Sequence, residues 1–296
     1  MNDNLTEMIE KYGSEDKCRA HLEQLRWPNG VECPRCKATQ VSHIHARHQY
    51  DCDKCRYQFS VLTGTGFSDT HLPIWKWFLA AYLICESRKG VSANQIKRVL
   101  GISYKSAWFL CHRIRNAMKE TNPAKLTGTV EIDETYIGGE LPHSEGGMYD
   151  NKSIVLGMRQ RQGNLRMVKI PNAKARTLRR SIVPYISRDV ERVITDERSA
   201  YIPAIGPLYP RKLKRIRHAE KYVDGDIHTN TVENAFSLLK RAAFGTYHKL
   251  SDKHLQSYLD EMTFRFNRRE DPNLFSETLS QLLTTKNLTF EELTAD

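Results

Sequence analysis

The chain has 296 residues, 45 of them Lys or Arg and 35 Asp or Glu, giving a formal net charge of +10. That length holds a main globular domain with a sizeable core plus one or two small modules, and the positive balance points to a polyanionic partner, nucleic acid first. A membrane span is excluded, because the longest apolar run, Ile74 to Cys85, falls short of the ~20 residues a spanning helix needs and carries Lys76.

The first residues, "MNDNLTEMIEKYG", lack the basic start and apolar stretch of a secretory signal, so a cytoplasmic location is expected, with the cysteines reduced. Four of the seven cysteines form Cys33-Pro-Arg-Cys36 and Cys52-Asp-Lys-Cys55, separated by residues 37–51. Each pair sets two thiolates on one side of a tetrahedral ion, and the spacer suits a hairpin that brings the pairs together around one structural Zn²⁺. A redox role would want a thioredoxin-like context. Metal binding would contribute folding energy to a segment too small for its own core. His43, His45 and His48 lie in the spacer and are expected on the hairpin surface, since four thiolates complete the shell. Cys18, Cys85 and Cys111 sit in apolar helical patterns and read as buried small hydrophobes. Residues 1–64 are thus N-terminal helices and a zinc ribbon.

Residues 65–124 read as helical. Asp69 or Thr70 can cap a helix with Pro73 in its first turn and a core stripe of Trp75, Phe78, Leu79, Tyr82 and Leu83. Ser92 then caps a short helix to Leu100, Gly101 turns the chain, and Ser103 caps a second helix to about Met118, the punctuation of a helix-turn-helix. The second helix is expected to expose Tyr104, Lys105, His112, Arg113 and Arg115; Tyr104, Lys105 and Arg113 are its candidate DNA contacts.

Strands begin near residue 128. In "TVEID" Val130 and Ile132 alternate with Glu131 and Asp133, so two carboxylates share one strand face. A hairpin around Gln162, Gly163 and Asn164, a basic helix over 174–186 and a short strand over 193–195 follow, the strand ending at Asp196. On a helix starting near Thr229 or Asn230, the residues Asn230, Glu233, Ser237 and Lys240 share one face, and Val232, Phe236 and Leu239 share another. Two strand-borne aspartates and a helix-borne glutamate, Asp133, Asp196 and Glu233, are what an RNase H-like nucleotidyl-transfer site needs: oxygen ligands for two Mg²⁺ (or Mn²⁺) ions ~4 Å apart. Glu131 is a candidate supporting group on the same strand face, whereas Glu134, Glu197 and Asp226 are expected in solvent. The run "RKLKRIRHAEK" holds six Lys or Arg in eleven positions. It supplies Arg211, Lys212, Lys214, Arg215 and Arg217 as candidate DNA contacts, joined by Lys240 and Arg241 on the helix. A core helix over 251–269 ends in Arg265, Arg268 and Arg269, also placed to meet DNA. The remainder, 271–296, is an amphipathic helical tail suited to packing or to pairing with another subunit.

Together, "LRWPNGVECPRC", "CDKCRYQFSVLTGT", "WKWFLAAYL", "EIDETYIGG", "ITDERSAY", "HTNTVENAFSLLKR" and "HLQSYLDEMTFRFNRR" resemble, in this order, bacterial insertion-sequence transposases of the DDE type that join a zinc ribbon to an RNase H-like domain. The resemblance covers nearly the whole chain. It implies an α/β fold: an RNase H-like catalytic domain over 125–270, a mixed sheet flanked by helices, preceded by the zinc ribbon and helix-turn-helix. It also implies an enzyme that binds terminal inverted repeats in double-stranded DNA, cleaves there, and joins the 3′-hydroxyl ends to target DNA. Water and then the DNA hydroxyl would be the nucleophiles. By the resemblance Asp133 and Asp196 carry over as metal ligands and Lys240 as a contact near the cleaved end. The third ligand in this family is Glu or Asn, and Asn230 and Glu233 share the helix face; Glu233 is favoured because an ionised carboxylate neutralises metal charge. Phe236 stands where family members often have Trp. Two DNA ends must be held at once, so a homodimer or larger assembly is expected. The rival reading is a DNA-binding regulator that kept the scaffold and lost catalysis, against which the intact Asp133, Asp196, Glu233 and Lys240 speak.

Overall fold

The computed structural model describes residues 4–138, 152–216, 226–248 and 250–295. The chain divides into two compact units, residues 1–118 with 270–296, and residues 119–269.

In the first unit, α1 (Leu5–Tyr12) and α2 (Glu15–Arg26) start at side-chain caps from Asn4 and Ser14. They lead into an antiparallel sheet of β1 (Val41–Ile44), β2 (Gln49–Cys52) and β3 (Gln58–Phe59), ordered β1-β2-β3. The three spacer histidines lie exposed on its hairpin, as expected. Next come α3 (Ile74–Glu86), α4 (Ala93–Leu100) and α5 (Tyr104–Ala117). Ser92 and Ser103 cap α4 and α5, and Gly101 turns between them with φ +60°, a left-handed conformation that glycine adopts without a Cβ penalty.

Two local expectations fail at α3. Neither Asp69 nor Thr70 caps it. Its first amides donate instead to Glu15 of α2, Ile74 N to Oε1 at 3.0 Å and Trp75 N to Oε2 at 3.4 Å, while Thr70 Oγ1 accepts from Trp77 Nε1 at 3.0 Å. The core stripe is also rotated: Ile74, Trp77, Phe78, Ala81 and Cys85 are buried, whereas Trp75 is 37% exposed. The helix is apolar nearly all round and packs on α2 and α5, so partners rather than periodicity choose its buried face.

The second unit is a five-stranded mixed sheet with helices on both faces. Its elements are β4 (Thr129–Ile137), β5 (Ser153–Gln160), β6 (Leu165–Ile170), α6 (Ala175–Ile182), β7 (Arg192–Thr195), α7 (Tyr201–Ile205), β8 (Leu213–Arg215), α8 (Asn230–Ala242) and α9 (Leu255–Asn267). The strand order is β6-β5-β4-β7-β8; β4, β5 and β6 pair antiparallel, and β7 and β8 join in parallel. This is the RNase H-like arrangement. Alternation along β4 sorts the two faces: Val130 and Ile132 pack with Leu178, Ile182, Tyr201 and Ile205 of α6 and α7, and Ile137 packs with Val232, Phe236 and Leu239 of α8 and Leu255 and Leu259 of α9.

Beyond the second unit the chain returns to the first. There α10 (Leu274–Thr284) packs on α2, α3 and α5, with Gly66 N donating to Leu282 O at 2.7 Å, and α11 (Phe290–Thr294) starts at a Thr289–Glu292 capping box. The apolar face of the tail is used within the chain.

Gly157 of β5 lies opposite Asp133 of β4. A Cβ there would stand 2.6 Å from the Phe236 ring and 2.8 Å from Val232 Cγ2, so α8 crosses the sheet at the closest approach a bare backbone permits. Gly157→Ala is therefore expected to overpack this layer, costing about 1–3 kcal/mol, read as a lowered Tm that Phe236→Leu partly restores. An unchanged Tm would contradict the close approach.

Candidate active site

The parallel pairing of β4 with β7 sets Ile132 against Thr195. The next residue in each segment is an aspartate, so Asp133, in the middle of β4, lies beside Asp196, the first residue past the end of β7. Asp133, Glu134 and Asp196 each offer a carboxylate oxygen within 4.8 Å of the others. Burial pushes Asp133 up to about 7, opposed by a hydrogen bond from Glu134 N and reinforced by the charges of Asp196, Glu134 and Glu233. Asp196 Oδ1 accepts from Arg198 N at 3.1 Å, which orients it.

Glu134 corrects an expectation. Rather than facing solvent, its side chain is 2% exposed, with Arg198 Nε 3.3 Å from Oε1. Oε2 accepts from the Tyr201 hydroxyl, and Oε1 has no hydrogen-bond partner among the described residues. Burial again raises its pKa, against the Tyr201 hydrogen bond and the Arg198 charge. Strand alternation points Glu134 away from Asp133, but β7 stops at Thr195 while β4 runs on to Ile137. The segment from Asp196 to Tyr201 fills the space left and closes over Glu134. The signal in the sequence is the "DERSAY" stretch, which holds a cation, Arg198, two residues after the second acid and a phenol, Tyr201, five residues after it.

On α8, Asn230, Glu233, Ser237 and Lys240 form an exposed line, as their spacing implies, while Val232, Phe236 and Leu239 are buried. Glu233 Oε1 accepts from Thr229 Oγ1 at 2.7 Å. Glu233 stands outside the tight group of three, although its charge reaches Asp133. The donor set of that group is all oxygen and all acidic, which fits a hard divalent cation.

The cysteine site is as compact. Cys33 Sγ and Cys55 Sγ are 3.7 Å apart, and Cys36 Sγ and Cys52 Sγ 3.5 Å, against the ~3.8 Å edge of a tetrahedron with ~2.3 Å Zn–S bonds. Both knuckles turn alike: Lys37 N donates to Cys33 O at 2.9 Å and Arg56 N to Cys52 O at 2.8 Å, with Lys37 and Arg56 both at positive φ. The four thiols fit one structural Zn²⁺.

Residues 125–267 match an ISXO2-like transposase domain, and residues 13–58 match a transposase zinc-ribbon domain. A protein of Halobacterium salinarum named as an uncharacterized protein in transposable element ISH50 is 30% identical over 300 residues, covering 94% of this chain and 98% of that protein. The chain belongs to the ISXO2-like family of insertion-sequence transposases.

The basic residues of this transposase divide. Tyr104 is 50% exposed, and Lys105 is exposed with its Nζ 4.3 Å from the Phe290 ring centre. Arg113 is a correction: only 4% exposed, it donates from Nη2 to Gly66 O and Ser68 O and lies over the rings of Trp77 and Phe109. The inward side of α5 takes it, together with the buried His112 and Arg115, off the surface. Arg211, Lys214, Arg215, Lys240 and Arg241 are exposed, and Lys212 is half-buried with Nζ donating to Arg188 O at 3.0 Å. Arg217 lies outside the described residues. Arg265 is buried against Glu261, and Arg268 Nη1 pairs with Glu120 at 2.7 Å, so the end of α9 uses these two guanidiniums internally. Among the described residues no helix is long and apolar enough to cross a membrane.

Asp133 at about 7 in the fold, against an ordinary 3.8, keeps a proton that the unfolded chain has released. The metal-free protein therefore loses stability as pH rises from about 4 to about 7. In buffer free of added divalent cations at pH 8, Asp133→Asn is expected to raise Tm by about 3 °C or more, and to lose most of the Tm gain that Mg²⁺ gives the wild type. Identical melting of the two proteins with and without Mg²⁺ would contradict this.

Proposed function

We propose that the protein is an active transposase that binds the terminal inverted repeats of its element, cleaves the DNA there and joins the 3′-hydroxyl ends to target DNA. The observation that carries the proposal is the β4–β7 register, which crowds half-buried acids against one another in a chain of net charge +10. Like charges so placed raise the free energy of the metal-free protein, and the natural ligand is a cation presented with phosphate.

Two Mg²⁺ or Mn²⁺ ions would supply positive charge at the attacking and leaving oxygens when bound. Asp133 and Asp196 hold that charge on the sheet, and Glu233, with Asn230 one turn earlier on the same exposed face, completes the ligand set from α8. Lys240, farther along that face, contacts the phosphates next to the cleaved end. The exposed basic residues around β8, Arg211, Lys214 and Arg215, extend the phosphate track. In the N-terminal part, the zinc ribbon and the α4–α5 pair bind double-stranded DNA, with Tyr104 and Lys105 at the start of α5 reaching it. Two ends cut together call for a homodimer or larger assembly.

Transposition from a plasmid carrying the gene and its flanking DNA tests this. New insertions are expected with the wild type, and none with Asp133→Ala at matched expression and DNA binding. Glu233→Gln is expected to abolish joining, with Asn230→Ala leaving a measurable fraction. Insertions by Asp133→Ala would sink the proposal. Wild-type protein that binds DNA at functional ends without inserting them would favour a regulator that kept the scaffold.

A further inference from the structure

Glu131 stands two residues before Asp133 on β4 and is 0% exposed. A carboxyl group so deeply buried persists only where hydrogen-bonding partners surround it, and here each oxygen has its own set. Oε1 accepts from Arg161 Nε at 2.7 Å and lies 3.3 Å from His228 Nδ1. Oε2 accepts from Thr231 N at 2.8 Å, Thr231 Oγ1 at 2.7 Å and Val232 N at 3.2 Å.

Those two amides belong to the first turn of α8, where backbone donors have no partner within the helix and a preceding side chain normally caps them. Thr229, in the capping position, makes no capping bond; its hydroxyl donates to Glu233 instead. The cap comes from across the fold, a hundred residues earlier in the chain. Arg161 extends the connection by donating from Nη2 to His228 O at 3.3 Å and pairing with Asp226 at 3.5 Å, so the segment leading into α8 is tied to the same carboxylate.

We propose that Glu131, held by Arg161, is a positioning residue for transposition: it seats the start of α8 on β4 and so fixes the helix face bearing Asn230 and Glu233 relative to Asp133. This rests on the transposase reading above and deepens it. Apolar packing of Val232 and Phe236 holds the helix against the sheet but leaves small slides and rotations cheap. Two successive amides on one carboxylate oxygen fix both depth and rotation, because hydrogen bonds weaken steeply as their angles open. The covalent links at either end are short, two residues from Glu131 to Asp133 and one from Val232 to Glu233.

Glu131→Gln isolates the role. A carboxamide has one acceptor oxygen, while Arg161 and α8 use both oxygens of Glu131, so an NH₂ group must face a donor on one side. The full-length, zinc-loaded protein is compared as wild type, Glu131→Gln and, should that variant fail to fold, Arg161→Met, by hydrogen exchange and by Mn²⁺ titration followed by electron paramagnetic resonance. With circular dichroism unchanged, the expected result is exchange at Thr231 and Val232 about tenfold faster, sheet amides unaffected, and Mn²⁺ affinity weaker by about tenfold or more. Unchanged exchange overturns the clamp; faster exchange with unchanged Mn²⁺ affinity reduces Glu131 to a cap and overturns the positioning role. If the wild type binds no Mn²⁺, the metal-dependent reading of the preceding subsection fails, and the exchange rates still decide for or against the clamp.

Discussion

Parallel pairing of β4 with β7 brings together two aspartates that lie 63 positions apart in the chain, and the rest of the second unit is arranged around that meeting. The pairing is made by backbone hydrogen bonds and by the apolar layer of Val130, Ile132, Val193 and Tyr201, so it pays for the crowding of acids where β7 ends beside β4. Asp133 shows the cost most plainly, in a carboxyl pushed up to about 7 by burial first and by neighbouring charge second. A cluster of this kind is more stable with a cation than without one, which is the property a phosphoryl-transfer site requires.

The second constraint is how α8 meets the sheet. Gly157, opposite Asp133, removes the side chain that would hold the helix away, and Phe236 fills the space to within contact. Close packing sets the separation of helix and sheet; the Glu131 carboxylate, taking the helix's own first amides, sets its register. The exposed line of Asn230, Glu233, Ser237 and Lys240 then sits on the outer face of α8 while the inner face is entirely apolar. The exposed polar residues and the packing residues of one helix are separated by its 3.6-residue period and nothing else.

The parts of this arrangement that rest on local pattern were legible in the amino-acid sequence. The cysteine spacing, the alternation in "TVEID", the serine and glycine punctuation of α4 and α5, and the two faces of α8 each reflect a short-range rule and appear as those rules imply. What escaped depends on partners distant in the chain. Glu134 obeys alternation, yet the segment after β7 buries it. Arg113 has the composition of a DNA contact, but its guanidinium meets the Gly66 and Ser68 carbonyls. The apolar α3 gave no unique stripe, and its cap is Glu15, nearly sixty positions earlier. In each case a charged group found its partner through tertiary structure, which no period in the sequence encodes.

Central to the account is that Asp133 of β4 and Asp196, just past β7, hold a divalent cation. Anomalous diffraction from a crystal soaked in Mn²⁺ tests it directly. A manganese peak is expected between the carboxylates of Asp133 and Asp196, on the side facing α8. Density confined to other sites, with these carboxylates unoccupied at saturating Mn²⁺, would contradict it.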